Sequence, residues 1–333
     1  MVITKTPFRM SFFGGGTDFE QFYREYGGAV LSTSFDKYCY VTVRYLPPFF
    51  DYQNEFVYSK LERINNTDLI EHPAIRESMK WLGMQNVRLT YEADLPARSG
   101  LGTSSSFAVG MLNAFYALGG TYVDKKKLAE DAIYLERTLC HESGGIQDQI
   151  AAAYGGFNRI NFGADGFHVA PVIISPERKK QLNDNLLMFF TGFSRFSSEI
   201  QTVHEQSIKE KTAQLLEMKQ LVDDAEQVLV GNRKLNEFGR LLDYTWKLKR
   251  GITSRISTDY IDELYAKAIQ AGASGGKLLG AGGGGFLLFY VEREYHQSVR
   301  DMLKNLMEIP FRFENGGTQV LYYVPESGNG GKR

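Results

Sequence analysis

Cysteine is nearly absent: Cys39 and Cys140 are the only two in 333 residues. That supply builds no disulfide framework and fits a reducing interior in which both are buried thiols. Histidine is also scarce. The five histidines show no metal-ligand spacing, and Cys140-His141 has no second pair to complete a zinc site. No apolar run reaches membrane-spanning length, and no signal-peptide core follows Lys5 and Arg9. A cytoplasmic location without membrane contact is the expectation. The formal charge of −1 supplies no broad field for nucleic acid or an anionic lipid surface. Repeats and low-complexity blocks are missing too, which excludes a solenoid.

What the chain does have is apolar content and glycine. A hydrophobic fraction of 43% with 23% charged residues describes a globular chain long enough for two domains. Alternation predicts strands over Ile3–Arg9, Ala29–Phe35, Tyr38–Leu46 and Val87–Ala93. Helices are expected over Asp18–Tyr26, Ile75–Leu82, Phe107–Leu118, Asp124–Leu139 (capped by Asp124) and Ile146–Ala153. In the second half, helices are expected over Ser197–Val230, Lys234–Leu248, Thr258–Ala271 and Glu294–Met307. Strands are expected over Asn185–Thr191, Lys277–Leu279, Phe286–Val291 and Thr318–Val324. A composition shift near residues 175–185 divides the chain into domains at 1–180 and 181–326. The Gly-rich tail 327–333 is expected to be disordered.

Three glycine segments carry the chemistry. Arg98-Ser99-Gly100-Leu101-Gly102-Thr103-Ser104-Ser105 lies between a strand and a helix. Free N–H groups at a helix start, glycines without Cβ and adjacent hydroxyls together make a phosphate cradle. The stretch is neither a Walker A loop nor G-x-G-x-x-G, and an ordinary capped helix would use the same residues. Near the start, Arg9 precedes Gly14-Gly15-Gly16-Thr17-Asp18. A pocket in which Asp18 accepts from hydroxyls beside Gly15 and Gly16 competes here with simple capping by Thr17 or Asp18. Finally, Gly282-Gly283-Gly284-Gly285 places four glycines between apolar strands, more than a hairpin needs.

In this order, the three segments resemble the GHMP kinase superfamily over about residues 4–325. The middle segment matches P-x-x-x-G-L-G-S-S from Pro96, with Thr103 for the first Ser. The resemblance implies an α+β, two-domain fold: a ribosomal protein S5 domain 2-like N-terminal domain and a ferredoxin-like C-terminal domain. It also implies ATP, magnesium and an active site between the domains. Asp148, in G-G-I-Q-D-Q, then corresponds to the catalytic Asp, with Arg9 orienting it. Glu136 and Ser104 correspond to the magnesium ligands, although the spacing from Glu136 to Asp148 is one residue longer than in mevalonate kinases.

Gly15-Gly16 stands where galactokinases carry Glu-His, which counts against galactose. The strings F-F-G-G-G-T-D-F and G-G-K-L-L-G-A-G-G-G-G-F are similar to those of bacterial D-glycero-D-manno-heptose 7-phosphate kinases, and L-fucose kinases share similar strings. A phosphorylated sugar needs a cationic subsite. Lys249, Arg250 and Lys277 are the candidates, with Arg98 a further one, while cations at residues 247–250 would equally suit a helix end. A non-catalytic binding protein on the same fold is the reading of another class. The presence of Asp148, Glu136 and Ser104 weighs against it.

Overall fold

Aromatic and β-branched residues alternate along the first 45 positions and fold into two long antiparallel strands. The computed structural model describes residues 1–97, 99–192, 211–251, 256–280 and 282–325. Strand β1 (Val2–Phe13) leads through α1 (Glu20–Tyr26) to β2 (Gly28–Tyr45). The break expected between Phe35 and Tyr38 is a bulge. Pro7 pairs with Tyr38 and Phe8 with Phe35, so Asp36-Lys37 is left over. Pro7 has no N–H for the ladder, which suits it to that irregularity. The hairpin β3 (Asn54–Val57) and β4 (Leu61–Ile64) precedes α2 (Pro73–Leu82), and β5 (Val87–Ala93) returns parallel to β3 and antiparallel to β2.

Helix α3 (Thr103–Leu118) starts four residues earlier than its apolar run, because Gly102 takes a left-handed turn at its N-cap. Next comes α4 (Lys125–Ile133), where Asp124 accepts from Lys127 N at 2.8 Å as the expected cap. The single helix expected to Leu139 instead widens into a π-helical turn, Tyr134–Leu139. Beyond it lie α5 (Gln147–Tyr154) and the hairpin β6 (Phe157–Gly163) and β7 (Gly166–Pro171), with β6 paired to β2.

From α6 (Pro176–Asp184) the chain enters β8 (Leu186–Gly192), α7 (Thr212–Val230), α8 (Asn236–Arg250) and α9 (Asp259–Gln270). It continues through β9 (Ala273–Leu278), β10 (Gly285–Val291) and α10 (His296–Met302). The part of the expected Ser197–Val230 helix before residue 211 lies outside the described residues, as does the tail at 327–333. The helix expected to run to Met307 stops at Met302. Arg300 closes the turn onto Glu308 through two 2.8 Å bonds, and Met307–Glu308 becomes β11, paired to β8.

Among the described residues the smaller sheet runs β11-β8-β10-β9, antiparallel throughout. The larger sheet runs β13-β1-β2-β5-β3-β4, with β6, β7 and β12 attached. Its last two members, β12 (Phe313–Glu314) and β13 (Gln319–Tyr323), come from the far end of the chain and pair with β2 and β1. Both cysteines are free: Cys39 is buried and Cys140, expected buried, is partly exposed. Burial pushes each thiol up to about 12.

One apolar cluster joins the halves: Phe8, Met10, Phe12 and Phe13 of β1 pack with Leu221 and Val222 of α7, Phe238 of α8 and Leu288 of β10. Phe12 is fully buried, with ring centroids 5.7 Å from Phe157, 5.3 Å from Phe238 and 6.3 Å from Phe313, all edge-on. Phe12→Ala should therefore cost about 3–5 kcal/mol. Urea titration would show it as a lowered midpoint at unchanged slope. A loss under about 1 kcal/mol would mean that this cluster does not carry the junction.

Candidate active site

Arg9 emerges from β1 into the space between α3 and α5. Its Nε and Nη2 donate to Oδ1 and Oδ2 of Asp148 at 2.7 and 2.8 Å, and Nη1 donates to the Gly100 carbonyl at 2.7 Å. Arg9 is nearly buried while the Asp148 side chain keeps 22% of its surface, so the carboxylate is gripped from behind and open in front. Gly102 makes room for this pair: a Cβ there would lie 3.2 Å from Arg9 Cγ and 3.4 Å from Asp148 Oδ2.

The first N–H groups of α3 have no side-chain cap, which leaves an N-terminus ready for an anion. The adjoining loop is braced by backbone. At Gly100 (φ +83°) a Cβ would fall 2.3 Å from the Leu279 carbonyl oxygen, and at Gly280 (φ +81°) 2.2 Å from Gly100 Cα. These two glycine segments touch main chain to main chain, the kind of packing that the run after Gly280 suggested. Gly283 N donates to the Ile256 carbonyl at 3.0 Å.

Two further carboxylates flank Asp148. Buried Asp18 accepts from Gly16 N at 2.9 Å, from Gln147 N at 3.2 Å and from Gln147 Nε2 at 3.0 Å. It caps no helix. Burial pushes its carboxyl up, the Gly16 N–H offsets part of this, and the Asp148 charge adds to the rise. Glu136, in the π-helical turn, accepts from Ser104 Oγ at 3.2 Å, Ser105 Oγ at 2.7 Å and Gln149 Nε2. Burial raises this carboxyl too, and Arg137 opposes that.

The family descriptions settle the class. GHMP kinases N terminal domain matches residues 68–156, and GHMP kinases C terminal matches residues 225–309. The chain is a GHMP kinase. It is an ATP-dependent phosphotransferase. Relatives include the D-glycero-alpha-D-manno-heptose 7-phosphate kinase of Campylobacter jejuni, 28% identical over 307 residues that span 87% of this chain and 89% of that one. The bifunctional fucokinase/GDP-fucose pyrophosphorylase of Arabidopsis thaliana is 28% identical over 231 residues, 67% of this chain and 22% of its own. A solved D-glycero-D-manno-heptose 1-phosphate kinase from Bacteroides thetaiotaomicron superposes with a TM-score of 0.72 at 25% identity, covering 97% of this chain and 100% of that one.

In this GHMP kinase the residues singled out from sequence divide into three groups. Arg9, Asp148, Gly100, Gly102, Ser104, Ser105, Glu136 and Asp18 converge, with Thr103 opening α3 and Gly15 and Gly16 beside Asp18. Lys249 also faces inward: buried, it donates to the Gly280 carbonyl and is held down to about 8 by burial first and the Arg9 charge second. Ser99 and Leu101 are structural, Ser99 Oγ donating to Pro96 O at 2.7 Å and Leu101 joining the core. Arg250 ion-pairs with Asp262 of α9, and Arg98 lies outside the described residues.

Sequence reading did not single out Gln147 and Gln149. They bracket Asp148, and their amides serve Asp18 on one side and Glu136 on the other. The repeated Gln around a lone Asp was the available signal. Glu136 itself sits in the π-helical turn, which holds about one residue more than an α-turn.

Gly280→Ala should separate the two braced loops. We expect kcat/KM for ATP to fall roughly tenfold or more, since a Cβ at φ +81° is both strained and overlapped. Steady-state kinetics within twofold of the native enzyme would show that the loops need not touch.

Proposed function

We propose that the acceptor is D-glycero-D-manno-heptose 7-phosphate, phosphorylated on its anomeric hydroxyl to the 1,7-bisphosphate, on a route to GDP-heptose for surface polysaccharide. The relatives named for heptose phosphates support a sugar phosphate. The observation that carries this reading is a pair of buried lysines beside Arg9, each bonded to backbone carbonyls and, among the described residues, to no carboxylate. Arg9, Lys249 and Lys277 are buried together and electrostatically coupled, with the carboxylates of Asp18 and Asp148 near them. Lys277 Nζ donates to the Ser11 and Phe12 carbonyls, each at 2.8 Å, which solvate its charge without neutralising it. Burial, then the neighbouring Lys249 and Arg9 charges, pull it well below the usual lysine range. A bound anion would give these lysines the charged partner they lack. Lys249 is the better-placed phosphate ligand of the 249–250 pair, because Arg250 already has Asp262.

In this reading Asp18 accepts from sugar hydroxyls against Gly15 and Gly16, and the uncapped start of α3 receives the nucleotide phosphates. Asp148 takes the proton of the acceptor hydroxyl as its oxygen bonds the γ-phosphorus; the bond from that phosphorus to the bridging oxygen breaks and ADP leaves. Arg9 fixes the carboxylate and adds positive charge where it is needed.

Ser104 and Glu136 would hold magnesium. Ser104 Oγ lies 3.2 Å from Glu136 Oε1, and a hydroxyl and a carboxylate are the hard oxygen donors that suit such an ion. When bound, it would withdraw charge from the migrating phosphoryl group. Glu136 stays aligned for it through Ser105 and Gln149.

ADP release measured with magnesium-ATP across heptose 7-phosphate, unphosphorylated heptose, L-fucose and galactose tests the acceptor. We expect kcat/KM for the heptose phosphate to exceed the others by roughly a hundredfold. Asp148→Asn should lower kcat by roughly a thousandfold. Preference for L-fucose or galactose would overturn the assignment. The pH profile gives an independent check. Lys249 is charged below about 8 and neutral above it. kcat/KM for the phosphorylated acceptor should therefore fall as pH rises through that value, a limb that Lys249→Arg removes.

A further inference from the structure

Between Glu136 and Asp148 the chain makes an irregular excursion, turned at His141 (φ +53°) and Gly144 (φ +143°). One side chain binds it at three points, beside the backbone bond from Glu142 N to the Glu136 carbonyl at 2.9 Å. Glu136 reaches inward to Ser104 and Ser105, whereas Arg137, next in sequence, reaches out along the excursion. Arg137 Nη1 donates to the Glu142 and Ser143 carbonyls at 3.0 and 3.3 Å, and Nη2 donates to the Gly145 carbonyl at 2.9 Å. One guanidinium thus holds three carbonyls within four residues.

The far end of this excursion is the wall behind Asp18. A Cβ on Gly145 would lie 1.9 Å from Asp18 Oδ2, so the backbone presses directly on the carboxylate. Ile146 N donates to the Asp18 carbonyl at 3.1 Å, Gln147 N to its Oδ2 at 3.2 Å, and Asp148 follows on the first turn of α5. Gly144 fits closely as well: a Cβ there would lie 3.1 Å from Arg137 Nη2.

We propose that Arg137 is a positioning residue for phosphoryl transfer. By holding the excursion it sets Asp18 and Asp148 in place relative to Glu136. It acts through the loop, and its neighbour in sequence belongs to the opposite side of the reaction. The metal side and the acceptor side are thereby tied within two adjacent residues. Lysine cannot substitute. Its ammonium is a point donor on a flexible stem, whereas the planar fork presents donors in the fixed directions that the three carbonyls occupy.

This inference rests on the kinase roles given above to Asp18 and Asp148, and it does not depend on which sugar is the acceptor. The test uses Arg137→Lys, which keeps the charge and removes the fork. Hydrogen exchange on the full chain without ligands comes first. The amides of Gly145 to Asp148 should exchange roughly tenfold faster in the variant, while those of β8 and β10 stay unchanged. Steady-state kinetics follow, with magnesium-ATP and whichever sugar of the panel turns over. kcat should fall roughly tenfold and KM for the sugar should rise, with KM for ATP within about twofold. Native-like exchange at residues 145–148 overturns the proposal, as does a uniform rise in exchange that includes β8 and β10. A change confined to KM for ATP overturns it too. If no sugar turns over, the acceptor reading fails and the exchange result alone decides the role of Arg137.

Discussion

The forked contact between Arg9 and Asp148 is the constraint from which the rest of the site takes its geometry. Arg9 belongs to β1, Asp148 to α5, and the Gly100 carbonyl that closes the set belongs to the loop before α3. The backbone takes part too, since Arg9 N donates to the Leu101 carbonyl at 3.2 Å. Three elements remote in sequence therefore meet on one rigid, five-donor group. A side chain at 102 would adopt a strained φ of +71° and press on the pair, its Cβ 3.2 Å from Arg9 Cγ. Lys277 fixes β1 just beyond Arg9 by binding the Ser11 and Phe12 carbonyls, so the smaller sheet also helps decide where the guanidinium sits.

The price of this arrangement is electrostatic. Three cations (Arg9, Lys249, Lys277) and three carboxylates (Asp18, Glu136, Asp148) lie together largely out of water, and among the described residues neither lysine has a carboxylate in direct contact. Such a group is less stable than an apolar core of the same volume. Its retention next to a carboxylate with an open face is what a site for an anionic reactant requires, and it places the local cost where binding can recover it.

Much of the plan is legible in the sequence because local chemistry determines it. The three glycine segments mark the places where backbone meets backbone or a helix start is left bare, and each lies at the site. Asp124 is a cap that the pattern identifies, and it accepts from Lys127 N; Thr258, read only as a helix start, caps α9 by accepting from Ile261 N. What local pattern does not carry is pairing at a distance. The alternation in residues 319–323 marks a strand but not its partner, and β1 lies at the other end of the chain. Asp36-Lys37 looks like a turn because bulges and turns use the same polar residues. The roles of Gln147, Gln149 and Arg137 depend on what tertiary packing brings within 3 Å of them, and no spacing rule contains that. Arg250 shows the converse. Its charge suggested a ligand, yet one helix turn of geometry gives it to Asp262.

The pairing of β13 with β1 also orders events in time. β13 is made roughly 300 residues after β1, a delay on the order of tens of seconds at about 5–20 residues per second. During that interval the Val2–Lys5 edge of β1 lacks this partner, the kind of edge that recruits foreign strands. That edge of the larger sheet is closed only by a segment roughly 300 residues downstream, so a cut before Gln319 would leave β1 open along Val2–Lys5.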